Sequence, residues 1–351
     1  MNSKRILPII AILLVGVLDA SPLTRSTNDL VENKPSGSYY ADNGSKAFFW
    51  ATTEQYGQEL WVTDGTPNGT VMIEDRNLGK ASFSSNHQLK VGDRLIFWDT
   101  AKGEWYVTDG STPQLLTDSD GGSLTNYAFG RSATVKQHIG NKFIFNYTTT
   151  SKGNELWITD GTSAGTHILK DVNVGTTGAV TSYSKSIPSP DGTKIYVWLD
   201  DGVNGHELWI TDATSAGTLI VKDISISNYP YITFNGFVND QLIFSYAYST
   251  TREMYRVNSK ATDIIKIAST SSTETWGFDN GSVGYFIGNT TLNGNEYWVT
   301  DGTASGTKMI EDFELGSANG TGSYHRKISE NLIFWDAGTA NWYTSNGNNN
   351  F

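Results

Sequence analysis

Five histidines and a recurring set of acidic residues are the groups in this chain that could carry chemistry. His87, His138 and His325 each fall near the start of a repeat unit, on the strand expected to lie innermost, where a metal or proton-transfer site could form. Their offsets from the apolar run that follows are eight, five and seven residues, and the two-residue period of a strand does not keep all three on one face. Packed or solvated imidazoles are the expectation. Asp118-Ser119-Asp120-Gly121 has the look of part of an oxygen-ligand loop, and Asp64, Asp160, Asp212 and Asp301 recur at one motif position. Calcium is the ion such oxygens would take. An EF-hand loop needs further acidic positions ending in Glu, however, and these are absent, so Asp as a turn cap is the simpler expectation. There is no HExxH, GxSxG or glycine-rich phosphate loop in a fitting context. We therefore assign no catalytic, cofactor-binding or metal-ligating residue from sequence. Sequons at Asn43, Asn68, Asn146, Asn280, Asn289 and Asn319 are candidate glycosylation sites.

The elements that must position these groups come from an internal repeat. Clear copies begin at Glu59 (ELWVTDGT), Glu155 (ELWITDGT), Glu207 (ELWITDAT) and Glu296 (EYWVTDGT); weaker ones begin at Glu104, Glu253 and Asn341. The seven starts are 45, 51, 52, 46, 43 and 45 residues apart, a length that suits one four-stranded propeller blade. Each motif is preceded by a short β-branched and aromatic run, from Ala47–Trp50 through Leu332–Trp335, which reads as a strand buried on both faces. Turn residues stand before each run: Asn43-Gly44, Gly92-Asp93, Gly140-Asn141, Asp191-Gly192, Asn239-Asp240, Asn280-Gly281 and Glu330-Asn331. The motif itself is the third strand, and runs such as Val71–Ile73 or His167–Leu169 supply a fourth. Its third position is aromatic in all seven copies (Trp61, Tyr106, Trp157, Trp209, Tyr255, Trp298 and Tyr343), as stacked blades require. A head Glu present in six copies is expected to be a hydrogen-bonding strut, because a catalytic site rarely needs so many copies of one acid.

The expected fold is all-β, a seven-bladed propeller of four-stranded blades. The seventh unit lacks a fourth strand, and 27–33 (TNDLVEN) resembles 112–118 (TPQLLTD), the fourth strand of the second unit. The N-terminal strand is therefore expected to close the ring and cover an otherwise open edge. The same exchange made between chains would give filaments. Lys4 and Arg5 followed by the apolar stretch Ile6–Leu18 read as a signal peptide cut after Ala20, leaving 21–351 as a single propeller domain. A net charge of −11, from 36 acidic and 25 basic residues, disfavours nucleic acid and anionic membrane as partners. With no cysteine, the chain must hold together by burial and strand pairing.

The repeats resemble the ELWxxDGTxxGT repeat of large secreted and surface proteins of bacteria, with the match most specific at Glu59–Thr70, Glu155–Thr166, Glu207–Thr218 and Glu296–Thr307. The second, fifth and seventh units depart from it: the loop after Asp109 is shortened, and Asn258 and Asn346 replace the motif Asp. The resemblance implies propeller blades and an extracellular setting, and it implies no defined reaction. The expectation is a secreted, non-enzymatic structural, adhesion or binding module. Its partners would be extracellular protein or glycan, with self-assembly into filaments or matrix as a further route. The alternative is a polysaccharide hydrolase or lyase, which would need non-repeat residues such as His138, Arg131, Asp120 and His325 to converge in a central channel.

Overall fold

The computed structural model describes residues 41–42, 45–83, 85, 87–124, 128–129, 134–203, 205–224, 231–248, 251–258, 260–270, 273–290, 292–313, 319–321, 324–336 and 340–347. The leader, the 27–33 strand, Asn43-Gly44 and Arg131 lie outside them. Every regular element among the described residues is a β-strand, arranged in six four-stranded sheets and one three-stranded sheet. Neighbouring strands within each sheet follow one another in the chain. No described helix is long and apolar enough to cross a membrane.

The chain divides into two compact units: residues 1–133, 141–143 and 157–167, and residues 134–140, 144–156 and 168–351. The first unit holds two complete sheets. One is built from Ala41–Asp42, Ala47–Thr53, Gly57–Thr63 and Val71–Met72, the other from Gln88–Val91, Arg94–Asp99, Glu104–Thr108 and Gln114–Leu115. Phe48, Trp50, Leu60 and Val62 of the former pack with Phe83, Leu95 and Phe97 into one core. Arg76, in the linker between the two sheets, pairs with Asp99 at 2.8 Å and lies 3.9 Å over the Tyr106 ring. Both side chains of that ion pair are 3 % exposed, and such burial is tolerated because the charges are paired and hydrogen-bonded.

The third sheet orders Lys136–Ile139, Lys142–Thr149, Gly153–Thr159 and His167–Lys170, and its residues are divided between the units. Four more sheets belong to the second unit. Cores of aliphatic and aromatic side chains join the fourth sheet to the fifth (Trp198, Leu208, Phe237, Phe244), the fifth to the sixth (Ile243, Met254, Phe286) and the sixth to the seventh (Tyr285, Tyr297, Phe334). Second strands such as Ile195–Asp200 are buried almost throughout, as their unbroken apolar runs require.

The aromatic third position of the motif sits opposite the second strand in register. Phe49 faces Trp61, Phe97 faces Tyr106, Phe244 faces Tyr255, Phe286 faces Trp298 and Phe334 faces Tyr343. Ring centroids in these pairs lie 5.6–6.5 Å apart, a spacing that contributes beyond the area buried. The expected hairpins form at Gly92-Asp93 and Gly140-Asn141. They also form at Asn239-Asp240, where φ values of 49° and 60° make the left-handed pair of a tight turn. Two turn positions differ. The last hairpin turns at Ser329-Glu330, one residue earlier than expected, with Ser329 taking φ 54°. Asn280-Gly281 lies within the longer loop between Thr273–Trp276 and Gly284–Thr290, held by paired bonds between the Asn280 and Asp240 side chains and backbone.

A glycine two residues before the head Glu has a steric reason. Gly153 has φ +67°, and a Cβ there would sit 2.5 Å from Gly178 N and 2.6 Å from Thr176 O in the linker. Gly57 meets Lys80 O at 2.7 Å in the same way. Gly153→Ala is expected to lose about 2–4 kcal/mol, since both the backbone angle and the space are violated. Gly79, with φ +76° and open space for at least 4 Å around the place a Cβ would take, is the control and should lose about 1 kcal/mol on the same change. Urea midpoints of the two variants check this, and equal losses would remove the steric account.

Candidate functional site

The acidic and hydroxyl groups of the repeat fall into two constellations, one at each end of the third strand. At its C-terminal end, Asp160 Oδ1 accepts from Thr162 N at 2.8 Å and Thr162 Oγ1 at 2.6 Å, and Thr162 Oγ1 accepts from Gly165 N at 2.9 Å. Thr166 Oγ1 donates to Thr162 O at 2.7 Å and lies 2.7 Å from Thr159 Oγ1. A Cβ on Gly165 would come within 2.1 Å of Asp160 Oδ1, so the second glycine of DGTxxGT makes room for the capping carboxylate. The wiring repeats around Asp64, Asp212 and Asp301. The side-chain bond from Thr66 holds the Asp64 carboxyl below its ordinary range, and that from Ser111 does the same for Asp109. These Asp residues are turn caps, as their sequence context indicates. The Asp118 loop is built alike: Asp118 Oδ1 accepts Asp120 N at 3.0 Å and Gly122 N at 2.6 Å, leaving Asp120 exposed.

At the N-terminal end stands the head Glu. Glu59, Glu155, Glu207 and Glu296 are all 0 % exposed. Glu155 is the best-satisfied: Oε2 accepts Val172 N at 3.0 Å, and Oε1 accepts Asn173 N at 3.0 Å and Ala179 N at 2.9 Å. Glu296 accepts Phe313 N at 3.2 Å and Gly320 N at 2.8 Å, while Glu59 accepts Arg76 N at 3.3 Å. The donors lie at matching positions in the linker that leads to the next sheet. In these three copies the head Glu is thus the strut expected of it, with the linker backbone as its partner, while Glu207 accepts Asp201 N at 3.3 Å from ahead of its own strand. In the weaker repeats the residue is only partly buried and turns to side chains: Glu104 accepts from the Tyr106 hydroxyl at 3.0 Å, and Glu253 from the Tyr255 hydroxyl and Lys266 Nζ.

Burial pushes these carboxyls up, Glu59 and Glu155 to about 7 and Glu207 to about 8. A second acid adds to the shift in each case: Asp75 beside Glu59, Asp171 beside Glu155, and Asp201, Asp200 and Asp223 around Glu207. Sequence reasoning missed these companions. Asp75, Asp171, Asp223 and Asp312 all stand sixteen residues after a head Glu, a spacing plain in the four strict copies once they are aligned.

The histidines occupy separate settings. His138 is exposed on Lys136–Ile139, and His325 is half-buried on His325–Ile328 with its ring 5.8 Å from Tyr297. His87 lies 6.4 Å from the Trp105 ring. His206 is buried against Thr181 Oγ1 at 2.6 Å, and burial lowers its pKa despite Asp200. No group of three or more His, Asp or Glu among the described residues is arranged to hold a metal. Among the sequons, Asn68 and Asn319 are exposed. Asn146 is 8 % exposed, with its amide donating to Asn154 Oδ1. The Asn280 and Asn289 amides donate to Asp240 and Asn295. A groove of about 440 Å³ lies in the second unit between Val299, Asp301 and Lys308 on one side and Glu330, Asn346 and Gly347 on the other.

No family model matches the chain, and no curated protein matches it. Solved structures do. An oligogalacturonate lyase in complex with manganese aligns over 89 % of this chain and 90 % of its own, at 12 % identity and a TM-score of 0.34. Puromycin hydrolase aligns over 93 % of this chain and 55 % of its own, at 12 % identity and a TM-score of 0.36. TolB from Acinetobacter baumannii aligns over 80 % and 65 %, at 12 % identity and a TM-score of 0.31. Likeness at this level assigns neither a family nor an activity.

Proposed function

We propose that this protein is a seven-bladed β-propeller acting outside the cell as a non-enzymatic binding or structural module. The observation that carries the reading is how the repeat uses its polar groups. The acids and hydroxyls of the strict copies are spent on capping turns and tying down linkers, which is scaffold work, while aliphatic side chains are offered outward at repeated places. Leu78 and Val174, 86 % and 81 % exposed, occupy the same position nineteen residues after their head Glu. Val203 and Leu292, each 77 % exposed, stand four residues before theirs. Repeated apolar tips on a rigid scaffold suit contact with extracellular protein or glycan, or with further copies of the chain.

The N-terminal strand 27–33 closes the ring in this reading. Support comes from the seventh sheet, whose last described strand, Asn341–Ser345, pairs on one side with Asn331–Asp336 and carries Trp342 at 60 % exposure. The basic and apolar start of the chain supports secretion.

Binding of the full mature chain to arrayed glycans and matrix proteins, with sedimentation to follow self-association, tests the proposal. A bound partner or polymer should be lost in a Leu78→Ser/Val174→Ser/Val203→Ser/Leu292→Ser variant of unchanged stability. Binding that is indifferent to the four tips, or turnover of a polysaccharide by the wild type, would overturn it.

A further inference from the structure

In the first unit a basic side chain closes the seam where one sheet packs on the next. Lys46 precedes the second strand of the first sheet, and its Nζ donates to Asp109 O, after the third strand of the second sheet, at 3.0 Å. Arg94 opens the second strand of the second sheet, and its Nη1 donates to Asp160 O, after the third strand of the third sheet, at 3.4 Å. The two stand at one position of the repeat, because the residues after them, Ala47 and Leu95, pair with the motif threonines Thr63 and Thr108. The sequence keeps that position basic in the next two repeats, as Lys142 and Lys194. In both seams the acceptor is the carbonyl of the motif Asp, and the glycine after it lies on the same side chain. A Cβ on Gly110 would stand 3.4 Å from Lys46 Nζ and 3.3 Å from Val62 Cγ2, and one on Gly161 would stand 3.0 Å from Arg94 Cδ.

The seam between the sixth and seventh sheets keeps these parts except the basic one. Gly347 follows Asn346 as Gly110 follows Asp109, and a Cβ on it would stand 2.9 Å from Val299 Cγ2, the counterpart of Val62. Gly284 pairs with Thr300, so the position of Lys46 falls to Val283, whose short side chain packs on the core between these sheets. The groove of about 440 Å³ opens here, lined by Val283, Val299 and Asn346, with Asp301 and Glu330 outnumbering one cation, Lys308. Lys308 comes from the fourth strand, opposite Val299, and is exposed. Lys327 Nζ is spent on Val283 O and Asp279, outside the groove lining. The valines give a wall for a methylene stem, the two carboxylates draw a positive charge, and a carbonyl has a second lone pair for a further donor. We propose that the groove takes a lysine side chain from a partner protein, which lies as Lys46 does in the first seam and sets its ammonium on Asn346 O. Lysine is favoured over arginine because Lys46 makes the shorter of the two bonds. The site is at the far end of the Gly294–Thr300 strand from Leu292, and it stands whether or not the apolar tips bind anything.

An NMR titration of the isotope-labelled full chain with the peptide acetyl-Gly-Lys-Gly-amide tests this. The backbone amides of Val299, Gly306 and Gly347 should shift and saturate, with a dissociation constant of about 1–10 mM. The same peptide carrying Nε-acetyl-lysine should bind at least about tenfold more weakly, since it loses the charge and the ammonium donors. Val283→Lys supplies the side chain from within the chain. Its melting temperature should not fall, and the peptide should no longer shift these amides. The comparison of the two peptides uses the wild type alone, so it holds even if the variant fails to fold. No shift at about 10 mM peptide, equal binding of the acetylated peptide, or undiminished binding by folded Val283→Lys overturns the proposal. Shifts at the same amides on concentrating the wild type alone, absent from Val283→Lys, would make a second copy the donor and overturn a separate partner.

Discussion

Glu155→Ala is expected to lose about 3–6 kcal/mol of stability, against about 1 kcal/mol for Glu104→Ala. The two residues hold the same place in their repeats but differ in what they serve. Removing the Glu155 carboxylate strands the backbone N–H groups of Val172, Asn173 and Ala179 in a fully buried setting. Each stranded donor costs about 1–3 kcal/mol, and the total is a large part of the 5–15 kcal/mol that a typical fold possesses. Glu104 is half-buried, and the bond it accepts from Tyr106 can pass to water. Urea denaturation measures both. Glu155→Gln, which retains one acceptor oxygen, should fall between them. If Glu155→Ala tolerated urea as well as Glu104→Ala, the head Glu would not be what ties down the linker.

The second large effect is a dependence on pH that one substitution should cancel. The Glu207 carboxyl is raised from 4.5 to about 8, first by burial and then by Asp201, with Asp200 and Asp223 adding to it. The folded protein therefore holds a proton on Glu207 that the unfolded chain releases near pH 4.5. The stability from this group is complete below pH 4.5 and is lost as pH rises through about 8, by about 5 kcal/mol at most. Gln carries no titrating proton. Wild type and Glu207→Gln should have similar melting temperatures near pH 5, with the variant pulling ahead by pH 9. His206 works in the opposite direction, since burial lowers its pKa, and it is present in both proteins. Parallel melting curves from pH 5 to pH 9 would mean that Glu207 is charged in the folded state.

Much of this was legible in the sequence because strand burial and turn chemistry leave local signals. The runs Leu95–Trp98 and Ile195–Trp198 read as strands covered on both faces, and Asn239-Asp240 reads as a tight hairpin turn, as the structure has them. The capping role of Asp160 was readable because its partners, Thr162 and Gly165, lie within five residues and are side-chain specific. The linker contacts were not. Glu155 bonds to backbone N–H groups 17, 18 and 24 residues away. A backbone donor can belong to almost any residue type, so Arg76, Val172 and Phe313 fill one position without a shared side chain. The companion Asp was visible only as a spacing, and its push on the head Glu carboxyl arises from a proximity that no sequence displays. The turn at Ser329-Glu330 was misplaced by one residue because Glu330-Asn331 has the better composition, while the pairing of Ile328 with Asn331 sets the register.

The reach of the head Glu also bears on how such a chain can change over generations. Glu59 and Arg76, Glu155 and Ala179, and Glu296 and Gly320 each begin and end within one copy of the repeat. A gene segment encoding one copy therefore carries both the strut and the donors it secures. Duplicating or excising that segment in frame creates or removes the two halves together, and no buried N–H is left without its carboxylate. Copy number can drift by whole units at little cost to the internal wiring of each. A breakpoint falling between the motif and its linker splits the two halves and should be selected against.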